Sequence, residues 1–180
     1  MTKQFKEQKF NIPELKGISK RNIEEHLKLY GAYVKNANDL LVEQEYNRRF
    51  PFEFNGMRNH EIYFSQFEGG PQSLSGDSEF AKAGFDLEKF KKLALTRGVG
   101  WAMVYYDSVS KQLIQSWVDE QHLGQLLQCT PVLALDMWEH SYVADYQPSG
   151  KKNYIEDFFD NINWRVVEQN FLEVSKDARD

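Results

Sequence analysis

The chain is 180 residues long, enough for one good core or for two small layers that share one. Its 22 Lys and Arg against 27 Asp and Glu leave a net charge of −5, which argues against nucleic acid as the main partner, since that needs a basic face. No apolar run approaches the roughly 20 residues of a membrane span, and the polar opening MTKQFKEQKF lacks the apolar stretch of a secretory signal, so the cytoplasm is the expected location.

Residues 11–17 (NIPELKG) read as an extended lead-in, and Ser19 is placed to cap a helix. Ile23, His26, Leu27, Tyr30, Val34, Ala37 and Leu41 then recur at helical spacing, which predicts a long amphipathic helix over 20–47. Pro51 is expected to interrupt, and a second helix is predicted over 54–67 with Met57, His60, Phe64 and Phe67 on one stripe. Two helices joined by a short break make an antiparallel hairpin. Gly69-Gly70-Pro71, with Ser and Gly to residue 78, reads as a loop and a boundary. The expected division is a helical hairpin over 1–70, a linker over 71–85 and a C-terminal domain over 86–180. Within the last, Asp86 caps a helix over 87–96 that Gly98 ends. Trp101–Asp107 and Lys111–Asp119 read as a strand hairpin, and Pro131–Asp136 as a third strand. Helical spacing returns from Tyr154 to Phe171. The predicted class is α+β: an N-terminal helical hairpin, then a small three-stranded antiparallel sheet flanked by helices.

Only four histidines occur, His26, His60, His122 and His140. A lone histidine on an apolar stripe is usually a hydrogen-bonded core residue. Here His26 and His60 sit on the stripes of two adjacent helices, and His140 follows the strand-end Asp136 by four residues. Carboxylate and neutral imidazole suit a redox-active first-row metal such as iron or manganese. Burying them with neither metal nor partner is costly, so a metal site explains the set better than three separate core histidines. Cys129 is the single cysteine, which excludes an internal disulfide and a cysteine-based zinc site. Two rival metal motifs fail. His60-Glu61 opens like the zinc protease pattern His-Glu-x-x-His, but residue 64 is Phe. A di-iron bundle needs Glu three residues before each histidine, and those positions hold Ile23, Met57 and Met137.

Asp136-Met137-Trp138-Glu139-His140, followed by Ser141-Tyr142 and Asp145-Tyr146, resembles the C-terminal signature of the iron/manganese superoxide dismutase family. The likeness extends in order along the chain, through IPELKGIS, Ile23-Glu24-Glu25-His26 with Tyr33-Val34 and Asn36, and Asn59-His60-Glu61-Ile62-Tyr63-Phe64. It continues in Gly98-Val99-Gly100-Trp101-Ala102 and in Tyr154-Ile155, Phe158 and Asn163-Trp164. The resemblance implies a superoxide dismutase with superoxide as substrate, and one Mn or Fe ion per subunit held by His26, His60, Asp136 and His140 with a solvent molecule as fifth ligand. It implies a homodimer, or a tetramer, in which Glu139 reaches the other subunit's His140. Tyr33 corresponds to the family's gateway tyrosine, and Trp101 and Trp138 to walls of the cavity. Gln121, fifteen residues before Asp136, matches the position from which manganese-type members direct a glutamine at the bound solvent, with His122 a rival for that role. Iron-type members commonly supply that glutamine four residues before the second histidine ligand. Here Gly56 stands there, which favours manganese.

The chain departs from the family's pattern at several points. The usual motif has one more residue between the first histidine ligand and the tyrosine, and a further histidine at the entrance. Here Tyr30 stands one turn past His26, and Val143 replaces the tyrosine that would pair with that entrance histidine across a dimer. An expected arginine before the final helix is missing, which leaves Lys28, Lys151 and Lys152 to draw in an anion. The altered entrance motivates an alternative: a metal-binding relative without dismutase activity, acting as a metal store or scaffold.

Overall fold

Ser19 opens the first helix, α1 (Lys20–Glu43), by accepting the Asn22 amide on its hydroxyl at 3.1 Å. The structure, a computed structural model, describes residues 3–177. The first two residues of the opening weighed as a leader, and 178–180 at the end of the C-terminal division, lie outside the described residues. α1 stops four residues short of the expected 47, because Gln44 turns left-handed (φ 58°) and its N–H closes onto the Leu40 carbonyl. The second helix, α2 (Arg49–Ser65), starts five residues earlier than expected. Pro51 does not interrupt it. The proline falls in the first turn, where an N–H has no helical acceptor and its absence costs nothing.

The stretch 71–85 is not all loop, since it holds a short helix, α3 (Glu79–Lys82), capped by Ser78. Its cause is tertiary: the Glu79 and Phe80 amides both donate to the distant Glu168 carboxylate, and Phe80 is fully buried. Asp86 caps α4 (Leu87–Ala94), which ends two residues before the expected 96. The sheet follows prediction, with β1 (Gly100–Asp107), β2 (Gln112–Asp119) and β3 (Cys129–Asp136) antiparallel in the order β2-β1-β3. Its register sets Trp101 opposite Asp136, so both reach the same sheet end. The open edge of β3 is covered by side chains. Gln66 makes two bonds of 2.8 Å to the Ala134 N–H and carbonyl, and Asn170 donates to the Val132 carbonyl.

After β3 comes a helix that the sequence reading left unassigned, α5 (Glu139–Tyr146). The predicted helix over 154–171 is in fact two, α6 (Lys151–Asn161) and α7 (Trp164–Asp177). The break is imposed from outside. Ile162 is extended (φ −74°, ψ 150°), its carbonyl accepts the Gln72 amide, and the Trp164 amide donates back to Gln72. The core runs from the fully buried residues of β1 to a ring cluster of Tyr63, Phe67, Tyr154 and Phe158, which joins α2 to α6. The α+β class holds: a helical hairpin followed by a three-stranded antiparallel sheet flanked by helices. Among the described residues no helix is long and apolar enough to cross a membrane.

Candidate metal centre

Four elements converge on one point. α1 contributes His26, α2 His60, the end of β3 Asp136 and the first turn of α5 His140. One donor atom from each lies within 4.8 Å of all the others. Asp136 Oδ2 is 3.2 Å from His26 Nε2, 3.1 Å from His140 Nε2 and 3.6 Å from His60 Nε2. Local chemistry fixes the turn that delivers the last pair. Asp136 Oδ1 accepts the Trp138 amide at 2.8 Å, which leaves Oδ2 to face the histidines. The Ser141 hydroxyl lies 2.6 Å from the Trp138 carbonyl and 3.0 Å from that of Asp136, which pins the first turn of α5 to the strand end. The extended Trp138 (φ −71°, ψ 149°) then turns the chain into α5, and His140, its second residue, lies beside Asp136. Asn22 donates to the Ser141 carbonyl, tying α1 to α5.

The protonation pattern of the site fits a bound cation. His60 Nδ1 donates to the Gly56 carbonyl at 2.6 Å, which puts the lone pair on Nε2. That Nε2 is buried and has no hydrogen-bond partner. An orphaned buried acceptor aimed at a carboxylate is unfavourable unless something positive lies between them. Burial, and then the neighbouring His26, push His60 down to about 3, so its ring is neutral at physiological pH. Burial likewise lowers His26. Burial pushes the Asp136 carboxyl up, but the adjoining His140 and His26 rings outweigh it and hold the group below the usual carboxylate range. Three imidazoles and one carboxylate form a hard-to-borderline donor set suited to manganese or iron.

Rings enclose the donors. Trp101 lies 5.1 Å from the His60 ring, Trp138 stacks on His140 at 5.8 Å, and Tyr63 and Phe64 meet His26 at 5.1 and 4.9 Å. The Tyr33 ring is 5.0 Å from His60. Its hydroxyl accepts a 3.0 Å bond from Gln121 Nε2, and Gln121 Oε1 accepts from Trp101 Nε1 at 2.8 Å. Burial, then Asp136 and Glu53, raise the Tyr33 hydroxyl well above its ordinary value, so it stays protonated. A Cβ at Gly56 would stand 2.6 Å from Tyr33 Cδ1, so the tyrosine ring occupies the space a side chain at 56 would need.

Other residues read from the sequence lie elsewhere. The Tyr30 hydroxyl donates to Glu61 and accepts the Gln8 amide, so it anchors the lead-in and is not brought to the donors. His122 packs on Phe52 at 5.7 Å, leaving Gln121 as the residue of that pair that faces Tyr33. Lys28 pairs with Glu25. Lys151 is bound to the Thr96 carbonyl and lies over the Trp117 ring. Lys152 and Glu139 are exposed. Sequence reasoning missed Gln66, Ser141 and Asn59, whose amides and hydroxyl hold the backbone that carries Asp136, His140 and Gln121. Asn59 stood inside a motif already quoted, and its place beside His60 was the one signal available. Ser141 likewise stood in a quoted motif, but its role was hidden because its partners are backbone carbonyls of its own turn, and Gln66 had no signal, since its partner is backbone remote in sequence.

This fold and donor set define a mononuclear metal centre of manganese or iron type. The family profile for iron/manganese superoxide dismutases, C-terminal domain, matches residues 77–170. A superoxide dismutase [Fe] of Cupriavidus metallidurans is 30% identical over 91% of this chain and 93% of its own length. A superoxide dismutase [Fe] of Aquifex aeolicus is 28% identical over 90% and 88%, and a superoxide dismutase [Mn] of Mycolicibacterium paratuberculosis 27% identical over 86% and 84%. The chain belongs to the iron/manganese superoxide dismutase family.

Proposed function

We propose that this protein is a superoxide dismutase, converting two superoxide anions and two protons to oxygen and hydrogen peroxide, with His26, His60, Asp136 and His140 as the ligands of one metal ion. The observation that carries this reading is the convergence of those four donors, with the buried Nε2 of His60 lacking any other partner. An ion that alternates between +3 and +2 supplies the electron acceptor for one half-reaction and the donor for the other. The chain's residues do the rest. With only one carboxylate among the four donors, a bound +2 or +3 ion would keep a net positive charge, so an anion can approach it. Trp101, Trp138, Phe64 and Tyr63 limit the water that can compete. Gln121 and Trp101 hold the Tyr33 hydroxyl in place with its proton unshared, available to an incoming anion.

Manganese is the preferred ion in this reading. A glutamine supplied from position 56 would collide with Tyr33, whereas Gln121 already reaches that hydroxyl from the loop between β2 and β3. A homodimer is part of the proposal. Glu139 is exposed, and the His140 side chain beside it keeps 25% of its surface open, so another subunit has both within reach. Sedimentation of wild type should give a dimer and Glu139→Ala a larger monomer fraction; a wild type that sediments only as a monomer contradicts it.

The second reading, a metal store or scaffold on the same fold, is motivated by the altered entrance at Tyr30 and Val143. Superoxide consumption by protein loaded with each ion, expressed per bound metal, separates the two. Dismutation far above that of the free aqueous ion is expected. Loaded protein no more active than free metal would overturn the dismutase.

A further inference from the structure

Gln121 acts through its side chain, but what fixes its reach is the backbone it stands on. The chain between β2 and β3 pinches shut where Asp119 and Leu123 exchange amide-to-carbonyl bonds of 2.9 and 3.1 Å. Gln121 rides on the three-residue excursion above that pinch, in a segment with left-handed backbone at Glu120 (φ 52°), Gly124 (φ 90°) and Gln128 (φ 61°). A short excursion of this kind can tilt as a unit unless something holds it. Two side-chain amides meet the Gln121 carbonyl: Asn59 Nδ2 at 3.1 Å and Gln125 Nε2 at 3.3 Å. Gln125 Nε2 also donates to Asn59 Oδ1 at 3.3 Å, which fixes which way the Asn59 amide faces. Behind it, Gln125 Oε1 accepts the hydroxyl of Tyr105, a residue of the central strand that is 1% exposed. The line runs from rigid sheet, through Tyr105 and Gln125, to the loop carrying the residue that holds Tyr33. Asn59 adds a tie to the helix position next to His60.

We propose that Gln125 is a positioning residue: braced on Tyr105, it sets the height of the Gln121 carbonyl and thereby the reach of Gln121 to Tyr33 and Trp101. It touches no donor atom, and with Asn59 and Ile62 it lines a surface cleft beside α2. From that position its main route to the ion is through Gln121, which in turn tunes the ion's environment. The inference rests on the dismutase reading for its effect on catalysis, but its geometric part does not need activity.

The test uses the full chain with Gln125→Ala and Gln125→Glu. The glutamate keeps the shape and the acceptor for Tyr105 but cannot donate to Asn59 or to the Gln121 carbonyl. In metal-free protein the Trp101 indole N–H resonance, identified with Trp101→Phe, should shift in both variants while that of Trp164 stays in place. In loaded protein the midpoint potential should shift and superoxide consumption should fall by up to about tenfold, the lower end of what partners just outside a metal's ligands cost. Tyr105→Phe should give smaller shifts of the same sign and serves if either glutamine variant fails to fold. Folded variants with the Trp101 resonance and the potential unchanged would overturn the inference. A Trp101 resonance shifted in the variants, together with a wild-type protein that consumes no superoxide, would spare it and sink the dismutase reading instead.

Discussion

His60 spends one ring nitrogen on the Gly56 carbonyl and points the other, unpartnered, at Asp136. Such a ring resists protonation, and this has a measurable sign. Its proton affinity is pushed down to about 3 in the fold, against an ordinary value of 6.5, and that of His26 is lowered too. Below about pH 6.5 the unfolded chain takes up protons that the folded chain refuses, so acid favours unfolding. Each such histidine removes about 1.4 kcal/mol of stability per pH unit between its unfolded and folded values. Asp136, held low, adds a loss of the same sign once pH falls below the ordinary carboxylate range. Denaturant unfolding of the metal-free protein should therefore be flat in pH above about 6.5 and fall below it, with a smaller slope in His60→Asn. Equal slopes in the two proteins would contradict the account. The donors were legible in the sequence because two histidines fell on apolar stripes and an acid and a histidine stood four apart at a strand end. Tyr30 misled for a related reason. Spacing reports which face a residue is on, and the Tyr30 hydroxyl turns from that face to Glu61 and the lead-in.

At the scale of elements, the edge strand that delivers Asp136 is held nearest that residue by one side chain. Gln66 satisfies both the N–H and the carbonyl of Ala134, two residues before the aspartate. Gln66→Leu keeps the bulk but orphans two buried backbone groups, at about 1–3 kcal/mol each. A loss of about 2–4 kcal/mol is expected in denaturant unfolding, together with weaker metal binding as β3 loosens. A change under about 0.5 kcal/mol would show that water replaces the glutamine freely. The strands were readable because β1 to β3 are runs of strand formers bounded by polar turns. Helix limits were less so, and each difference has a physical source. Pro51 signals a break only inside a helix, and here it lies in the first turn. The split between α6 and α7 comes from pairing with Gln72, and α3 from the Glu168 carboxylate. α5 was hidden because the eight residues that form it also carry the metal signature. Partners remote in sequence decided the α6–α7 split and α3, and no local pattern encodes those two.

Across the whole molecule, the site closes a circuit between distant stretches of chain. His26 and Asp136, 110 residues apart, meet at 3.2 Å. The donors come together only in the folded chain, so ion binding and folding stabilise each other, and removal of the ion should lower the unfolding midpoint. The sheet register that sets Trp101 against Asp136, the turn that carries His140, and the hairpin that faces His26 toward His60 all serve that one meeting point. Metal bound per chain, measured by elemental analysis after loading with manganese or iron and gel filtration, tests it most directly. One ion per wild-type chain is predicted, and its loss in His26→Ala and in His60→Ala, each still folded by circular dichroism. Either variant retaining a full equivalent would contradict the account.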